Sequence, residues 1–183
     1  MGGFPPGVIY LENIPRFLLS KQQPWSYNKH MCRQMERKPK THFFYVCTAE
    51  ATDFSNFAFE VQLKILHGDC GGMIFRADSN SGKLYFFEVC QDGRYLFSRY
   101  LDYTGNNVKD LAGGTSAAIT TGLNQANVIA VVAQGSTLSI YVNKQKIASA
   151  SDSTFNHGQI GLLADSNNQP TEVAFTDVKV WMY

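Results

Sequence analysis

The sequence carries little charge. Asp, Glu, Lys and Arg make up 17% of its 183 residues and sum to +1 with histidine neutral. A typical soluble domain is roughly 25% charged. This balance offers no electrostatic footing for nucleic acid or for an anionic membrane surface. The basic run Arg33, Arg37, Lys38 and Lys40 has the length of a solvated turn rather than of a phosphate site. Long apolar runs are missing too: none approaches the roughly 18 to 20 residues of a membrane-spanning helix, so no membrane insertion is expected of this segment. The opening Met1-Gly2-Gly3-Phe4-Pro5-Pro6-Gly7 lacks the basic start and apolar middle of a secretory leader. Pro6 also stands where a myristoylation signal requires Ser or Thr. On this reading the chain is a domain excised from a larger parent, with any targeting signal outside it.

Catalytic constellations are absent as well. No Ser lies in GxSxG, no cysteine has a triad partner beside it, and neither GxxxxGK[ST] nor GxGxxG occurs, which removes the common acyl-transfer and phosphate-cradling sites. Glycoside hydrolysis needs two carboxyl groups roughly 5 to 9 Å apart, which one strand provides when acids alternate along a face. Here the same-face neighbours of Glu60 are Ala58 and Gln62, and those of Glu88 are Phe86 and Cys90. Such a pair could arise only if Glu60 and Glu88 met across strands. There is no CxxC, and His30, His42, His67 and His157 have no ligand spacing to the cysteines, so a zinc site is not expected.

What the chain does have is aromatic residues, 13 Phe and 9 Tyr, and short apolar runs punctuated by Gly, Asn, Asp and Ser from Phe43 onward. This is the pattern of an all-β sandwich. Five of the six prolines precede residue 41, making residues 1–42 an irregular part packed on a regular 43–183 within one domain. In 57–65, Phe57, Phe59, Val61, Leu63 and Ile65 alternate with Ala58, Glu60, Gln62 and Lys64, as in a strand with one buried face. Further strands are expected at 128–133, 137–142, 159–164 and 172–181, with hairpins at 134–136 and 143–145. Helix is confined to a short turn near 112–118 or 152–156.

The clearest piece is a three-stranded meander from Cys70 to Tyr100. Asp92-Gly93 reads as a two-residue type I′ hairpin, setting Cys90 opposite Tyr95, Glu88 opposite Phe97 and Phe86 opposite Arg99. A turn at 79–82 sets Cys70 opposite Cys90, Ile74 opposite Phe86 and Arg76 opposite Leu84. One face then holds Met73, Phe75, Tyr85, Phe87, Val89, Leu96 and Tyr100 and should be core. The other holds Ile74, Arg76, Phe86, Glu88, Tyr95, Phe97 and Arg99. Aromatics mixed with both signs of charge suit a binding surface; an ordinary solvated face whose Arg76, Glu88 and Arg99 pair with one another is the alternative. The register makes a Cys70–Cys90 bridge geometrically reasonable, and Cys32 and Cys47 flank the turn at Lys38-Pro39-Lys40 in a similar way. That pairing implies an oxidising, extracellular or cell-surface setting. Four free thiols would imply the reverse.

The runs Gly68-Asp69-Cys70-Gly71-Gly72-Met73-Ile74-Phe75-Arg76-Ala77-Asp78 and Tyr85-Phe86-Phe87-Glu88-Val89-Cys90-Gln91-Asp92-Gly93 resemble the concanavalin A-like lectin/glucanase superfamily. The runs 127–133, 135–143, 158–164 and 173–181 fit it too. The likeness covers about 43–181 and is greatest to 3-keto-disaccharide hydrolase-like and laminin-G-like domains. It extends to the C-terminal extracellular domains of bacterial membrane-spanning serine/threonine kinases. The resemblance implies a jelly roll of two curved antiparallel sheets, with ligands on the concave one or on the loops at one edge. It further implies a sugar-directed binding or sensing module without catalysis, in which Arg76, Phe86, Glu88, Tyr95, Phe97 and Arg99, with Glu60, contact the ligand. The glucanases' carboxylate motif is missing from the strand that should bear it. Relatives hold a structural calcium with an N-terminal carboxylate and an Asp of the last strand, places that only Glu12 and Asp177 could take. A glycoside hydrolase-like enzyme and a protein-interaction domain are the other functions compatible with these residues.

Overall fold

The computed structural model describes residues 8–10, 17–19, 30–37, 42–167 and 169–183, with side chains from Phe44 onward except Asn168. None of the described residues is helical. The described residues form fourteen strands in order: β1 Val8–Tyr10, β2 Phe17–Leu19, β3 His30–Arg37, β4 His42–Ala49, β5 Phe57–His67, β6 Cys70–Asp78 and β7 Lys83–Cys90. They continue with β8 Arg94–Tyr100, β9 Val108–Thr115, β10 Ala126–Gln134, β11 Thr137–Val142, β12 Gln145–Ser151, β13 Gln159–Ser166 and β14 Glu172–Met182. Sheet A has the order β1-β14-β5-β10-β11-β12, with β2 also paired to β14; sheet B has the order β3-β4-β13-β6-β7-β8-β9. The architecture is the all-β sandwich expected. Strands also occur in the proline-rich N-terminal part, along sheet edges or beside β14, and none of them contains a proline.

The strand of 57–65 behaves as its alternation requires. Phe57, Phe59, Val61, Leu63 and Ile65 enter an apolar layer between the sheets and meet Met73, Phe75, Tyr85, Phe87 and Val89 there. Each such burial contributes about 1.5–3 kcal/mol by transfer from water. Sheet B has a second buried cluster on its outer face, made by Phe44, Val46, Ile74, Leu84, Phe86, Tyr100 and Leu163. Within it the Phe44 ring stands edge-on to Phe86 at 5.0 Å and to Tyr100 at 5.4 Å. The hairpins at Gly135-Ser136 and Asn143-Lys144 are two-residue turns, and both Asn143 and Lys144 have the positive φ that a type I′ turn demands.

The meander departs from its expected register by one residue. At the Asp92-Gly93 turn only Gly93 has positive φ, and its N–H donates to the Cys90 carbonyl. The loop is therefore Gln91-Asp92-Gly93, a three-residue turn with glycine in the left-handed position. The pairs become Glu88 with Leu96, Phe87 with Phe97 and Tyr85 with Arg99. A slip of one residue exchanges the faces of a strand. Phe97 is consequently core, while Leu96 and Tyr100 lie against the outer cluster. The β6–β7 pairing holds from Cys70–Cys90 to Phe75–Tyr85, then shifts between Phe75 and Asp78. Arg76 sits in that bulge with φ 45° and does not stand opposite Leu84.

Cys70 and Cys90 are bridged across β6 and β7. Cys47 is also disulfide-bonded, and its register partner is Cys32, whose side chain lies outside the described residues.

Two measurements check this arrangement. Phe97→Ala should lower the unfolding free energy in urea by about 3–5 kcal/mol, the cost of emptying a core site; a loss under about 1 kcal/mol would return Phe97 to the surface. Replacing both Cys70 and Cys90 by Ala opens a bridge spanning a sequence separation of 20. It should cost about 3 kcal/mol by the loop-entropy relation.

Candidate functional site

Beyond β12 the chain crosses the end of the sandwich through residues 152–158, and three inward-facing side chains of sheet B pin that crossing. The Tyr85 hydroxyl, on β7, donates to Asp152 Oδ1 at 2.7 Å and accepts from the Phe155 N–H at 3.3 Å. Arg99 Nη1, brought to this side by the register of β8, donates to Asp152 Oδ2 at 2.7 Å and to Thr154 Oγ1. Arg76, turned by its bulge, donates through Nη1 to the carbonyls of Gly135 and Phe155, both at 2.9 Å, and through Nη2 to that of Ser55 at 2.6 Å. Gly135 belongs to the β10–β11 turn of sheet A, so this one guanidinium ties the two sheets and the crossing loop together. Gly158 completes the docking. Its φ is +146°, and a Cβ there would come within 2.6 Å of the Ala77 carbonyl oxygen and of the Arg76 carbonyl carbon.

Burial acts on Tyr85, Asp152 and Arg76. It pushes the Tyr85 phenol up to about 12, and the hydrogen bond to Asp152 adds to the rise. Burial would raise the Asp152 carboxyl also, but hydrogen bonds from Thr154 and Tyr85 and the charge of Arg99 outweigh it and hold that carboxyl below its ordinary value. Arg76 is 2% exposed, and desolvation pulls its guanidinium downward.

Beside the pinned loop lies a cleft of about 370 Å³. Buried Arg76 and Ala77 contribute to its lining, together with half-buried Phe155, Gly158 and Gln159 and exposed Asp53, Asp78, Lys83 and His157. His157 Nδ1 contacts Asp53 Oδ1 at 2.7 Å. The Asp78 carboxylate accepts from Ser81 Oγ and the Asn80 N–H, and these two bonds hold it below its ordinary value.

The expected site residues are thus dispersed. Arg76 alone lines the cleft, and Arg99 acts on it only by holding its loop wall. Phe86 and Glu88 are buried on the outer face of sheet B, at 0% and 2% exposure, so that face is packed rather than an open groove. Phe97 is in the core, and Tyr95 is half-buried and packs on it. Glu60 stands on the outer face of sheet A with Lys179 Nζ at 3.5 Å from its carboxylate. Glu60 and Glu88 therefore point away from opposite sides of the sandwich, and no catalytic pair forms from them. Asp165, which sequence reasoning did not single out, is fully buried opposite Cys70 on the same face as Glu88. Among the described residues the grouping with metal-ligand spacing is Cys70, Glu88 and Cys90, and its two sulfurs are already bonded to each other. Of the two residues named for calcium, Glu12 lies outside the described residues; Asp177 is exposed at a bulge of β14 with φ 55°. Phe155, His157, Asp53 and Lys83 were missed because no local motif marks them.

The model of the 3-keto-alpha-glucoside-1,2-lyase-like domain matches residues 22–181. The chain belongs to that family. Solved structures with the same jelly roll include the carbohydrate-binding module CBM66 from Bacillus subtilis, 19% identical with a TM-score of 0.64, covering 85% of this chain and 99% of that one. Sheep galectin-11 in complex with glycerol follows at 10% identity and a TM-score of 0.54, covering 85% and 100%. A native glycosidic hydrolase is 10% identical with a TM-score of 0.57, covering 91% and 95%. At these identities the likeness establishes the fold. No curated protein matches the chain. The family match carries the 3-keto-disaccharide part of the resemblance, and the shared jelly roll is consistent with the concanavalin A-like part; membrane-spanning kinases are not among the matches named.

For this member of the 3-keto-alpha-glucoside-1,2-lyase-like family, the pinning of the loop has a pH signature. A carboxyl whose folded pKa lies below its unfolded value, about 3.9, stabilises the fold fully above that value and loses its contribution as pH falls through the folded one. Asp152→Asn should therefore be less stable than the parent at neutral pH, and the gap should close below about pH 4. Urea midpoints measured across that range give the answer; a gap independent of pH would assign the effect to lost hydrogen-bond geometry instead.

Proposed function

We propose that this chain is a non-catalytic carbohydrate-binding or sensing module that works outside the cell and seats a sugar in the cleft beside residues 152–158. The observation carrying this reading is the cleft itself. Its volume of about 370 Å³ falls in the range of small-ligand sites, roughly 300–1,000 Å³. It offers the half-buried Phe155 for an apolar sugar face and Asp53, Lys83 and His157 for hydroxyls. The carbohydrate-binding module and the galectin that share the fold support the ligand class. The Cys70–Cys90 disulfide supports an oxidising compartment.

Two placements support binding without turnover. The Glu60 and Glu88 carboxylates face opposite ways, and Glu88 is buried; the two carboxylates that do line the cleft are engaged, Asp53 with His157 and Asp78 with Ser81 and Asn80. Hydrolysis by paired carboxyls requires both beside one accessible bond.

A glycan array followed by calorimetry tests the reading. At least one glycan should bind above background and be recovered unchanged. Phe155→Ala and His157→Ala should each weaken binding by about tenfold, or about 1.4 kcal/mol. Binding unaffected by both substitutions would move the site elsewhere, and loss of the bound glycan to cleavage would make the protein an enzyme.

A further inference from the structure

The ion pairs among the described residues are Arg94–Asp92, Arg99–Asp152, His157–Asp53 and Lys179–Glu60. Arg76 and Lys83, the two permanent cations of the cleft, are in none of them. Arg76 is the more telling. Its guanidinium is buried, and the partners holding it are the backbone carbonyls of Ser55, Gly135 and Phe155. Carbonyl dipoles satisfy its N–H groups but leave its charge whole. A buried charge gives up its hydration, and that cost stands unless something of opposite sign faces it.

The cleft's own carboxylates do not supply that. Asp53 is 68% exposed and engaged with His157. Asp78 is exposed and has both oxygens turned to Asn80 and Ser81. Exposed charges are screened by water and salt, whereas the field of a desolvated charge passes through low-dielectric protein and is focused into the adjoining cleft. Lys83 stands on β7 in register opposite Asp78 and acts on its carboxylate through space without an ion pair; its ammonium is exposed at the cleft and is screened as those carboxylates are until a ligand excludes the water.

We infer that the sugar taken by this cleft is anionic, with a negatively charged substituent that meets Lys83 directly and lies in the field of buried Arg76. This inference rests on the cleft being the sugar site. A uronate carboxylate and a sulfate ester carry the same chemistry, and the choice between them belongs to the experiment. Arg76 would act through space, being too enclosed to touch the ligand, while Lys83 would be the contact.

Calorimetry of the intact protein with three oligosaccharides of one linkage, neutral, uronate and sulfated, tests it. At least one anionic form should bind tenfold or more tighter than the neutral one. That advantage should shrink to within about threefold at 0.5 M NaCl and in Lys83→Gln, and should persist in Lys109→Gln, an exposed lysine on β9. Whichever anionic arm binds tighter identifies the substituent. Neutral sugar binding as well as or better than both anionic forms would overturn the inference while leaving the carbohydrate reading in place. Binding of none of the three, where the array has shown no glycan either, would overturn both. An advantage unmoved by Lys83→Gln would overturn the assignment to this cleft.

Discussion

The apolar layer between the two sheets is the constraint on which the rest of the molecule depends. Every central strand must deliver alternate side chains to it, and β5 does so without exception through Phe57, Phe59, Val61, Leu63 and Ile65. The alternation is costly to break, because a one-residue slip would place a polar set in the layer. Where it is broken, a turn or bulge absorbs the extra residue and a polar group is re-aimed. The bulge at Arg76 and the three-residue turn at Gly93 are two such places, and both bear on the cleft.

Those two irregularities bring Arg76 and Arg99 to the same end of the sandwich. From there they hold residues 152–158 through Phe155, Thr154 and Asp152, with Tyr85 as a third attachment. The cleft wall is therefore fixed by side chains rooted in regular strands, not by contacts among loop residues. A pocket built in this way is preorganised, which limits the ordering cost that a ligand must offset. The same construction leaves a buried cation facing an opening.

The outer face of sheet B gives the opposite lesson. Its mixture of Phe86, Glu88 and neighbouring strands looked in sequence like a ligand-binding surface. In the fold it forms a second buried cluster with Phe44, Tyr100 and Leu163. The central strands of sheet B are thus buried on both faces, and β6 and β7 read as nearly continuous apolar runs rather than as clean alternation. That continuity in Met73-Ile74-Phe75 and Leu84-Tyr85-Phe86-Phe87 was the sign available in the sequence, and it marks double-sided burial.

The sequence by itself determined the class of fold, most of the strands, the two tight hairpins and the placing of Cys70 opposite Cys90. Period-two alternation and turn chemistry act between near neighbours, so a single chain displays them. It also excluded a transmembrane helix and the common catalytic motifs. Only the tertiary structure decided which face of β8 is core, because a two-residue and a three-residue turn at Asp92-Gly93 differ by one residue yet invert every side chain that follows. Only the tertiary structure assembled the cleft, since Asp53, Arg76, Lys83, Phe155 and His157 come from segments up to 104 residues apart and no local pattern links them. What joins them is the packing of two sheets and one buried guanidinium that spans the gap.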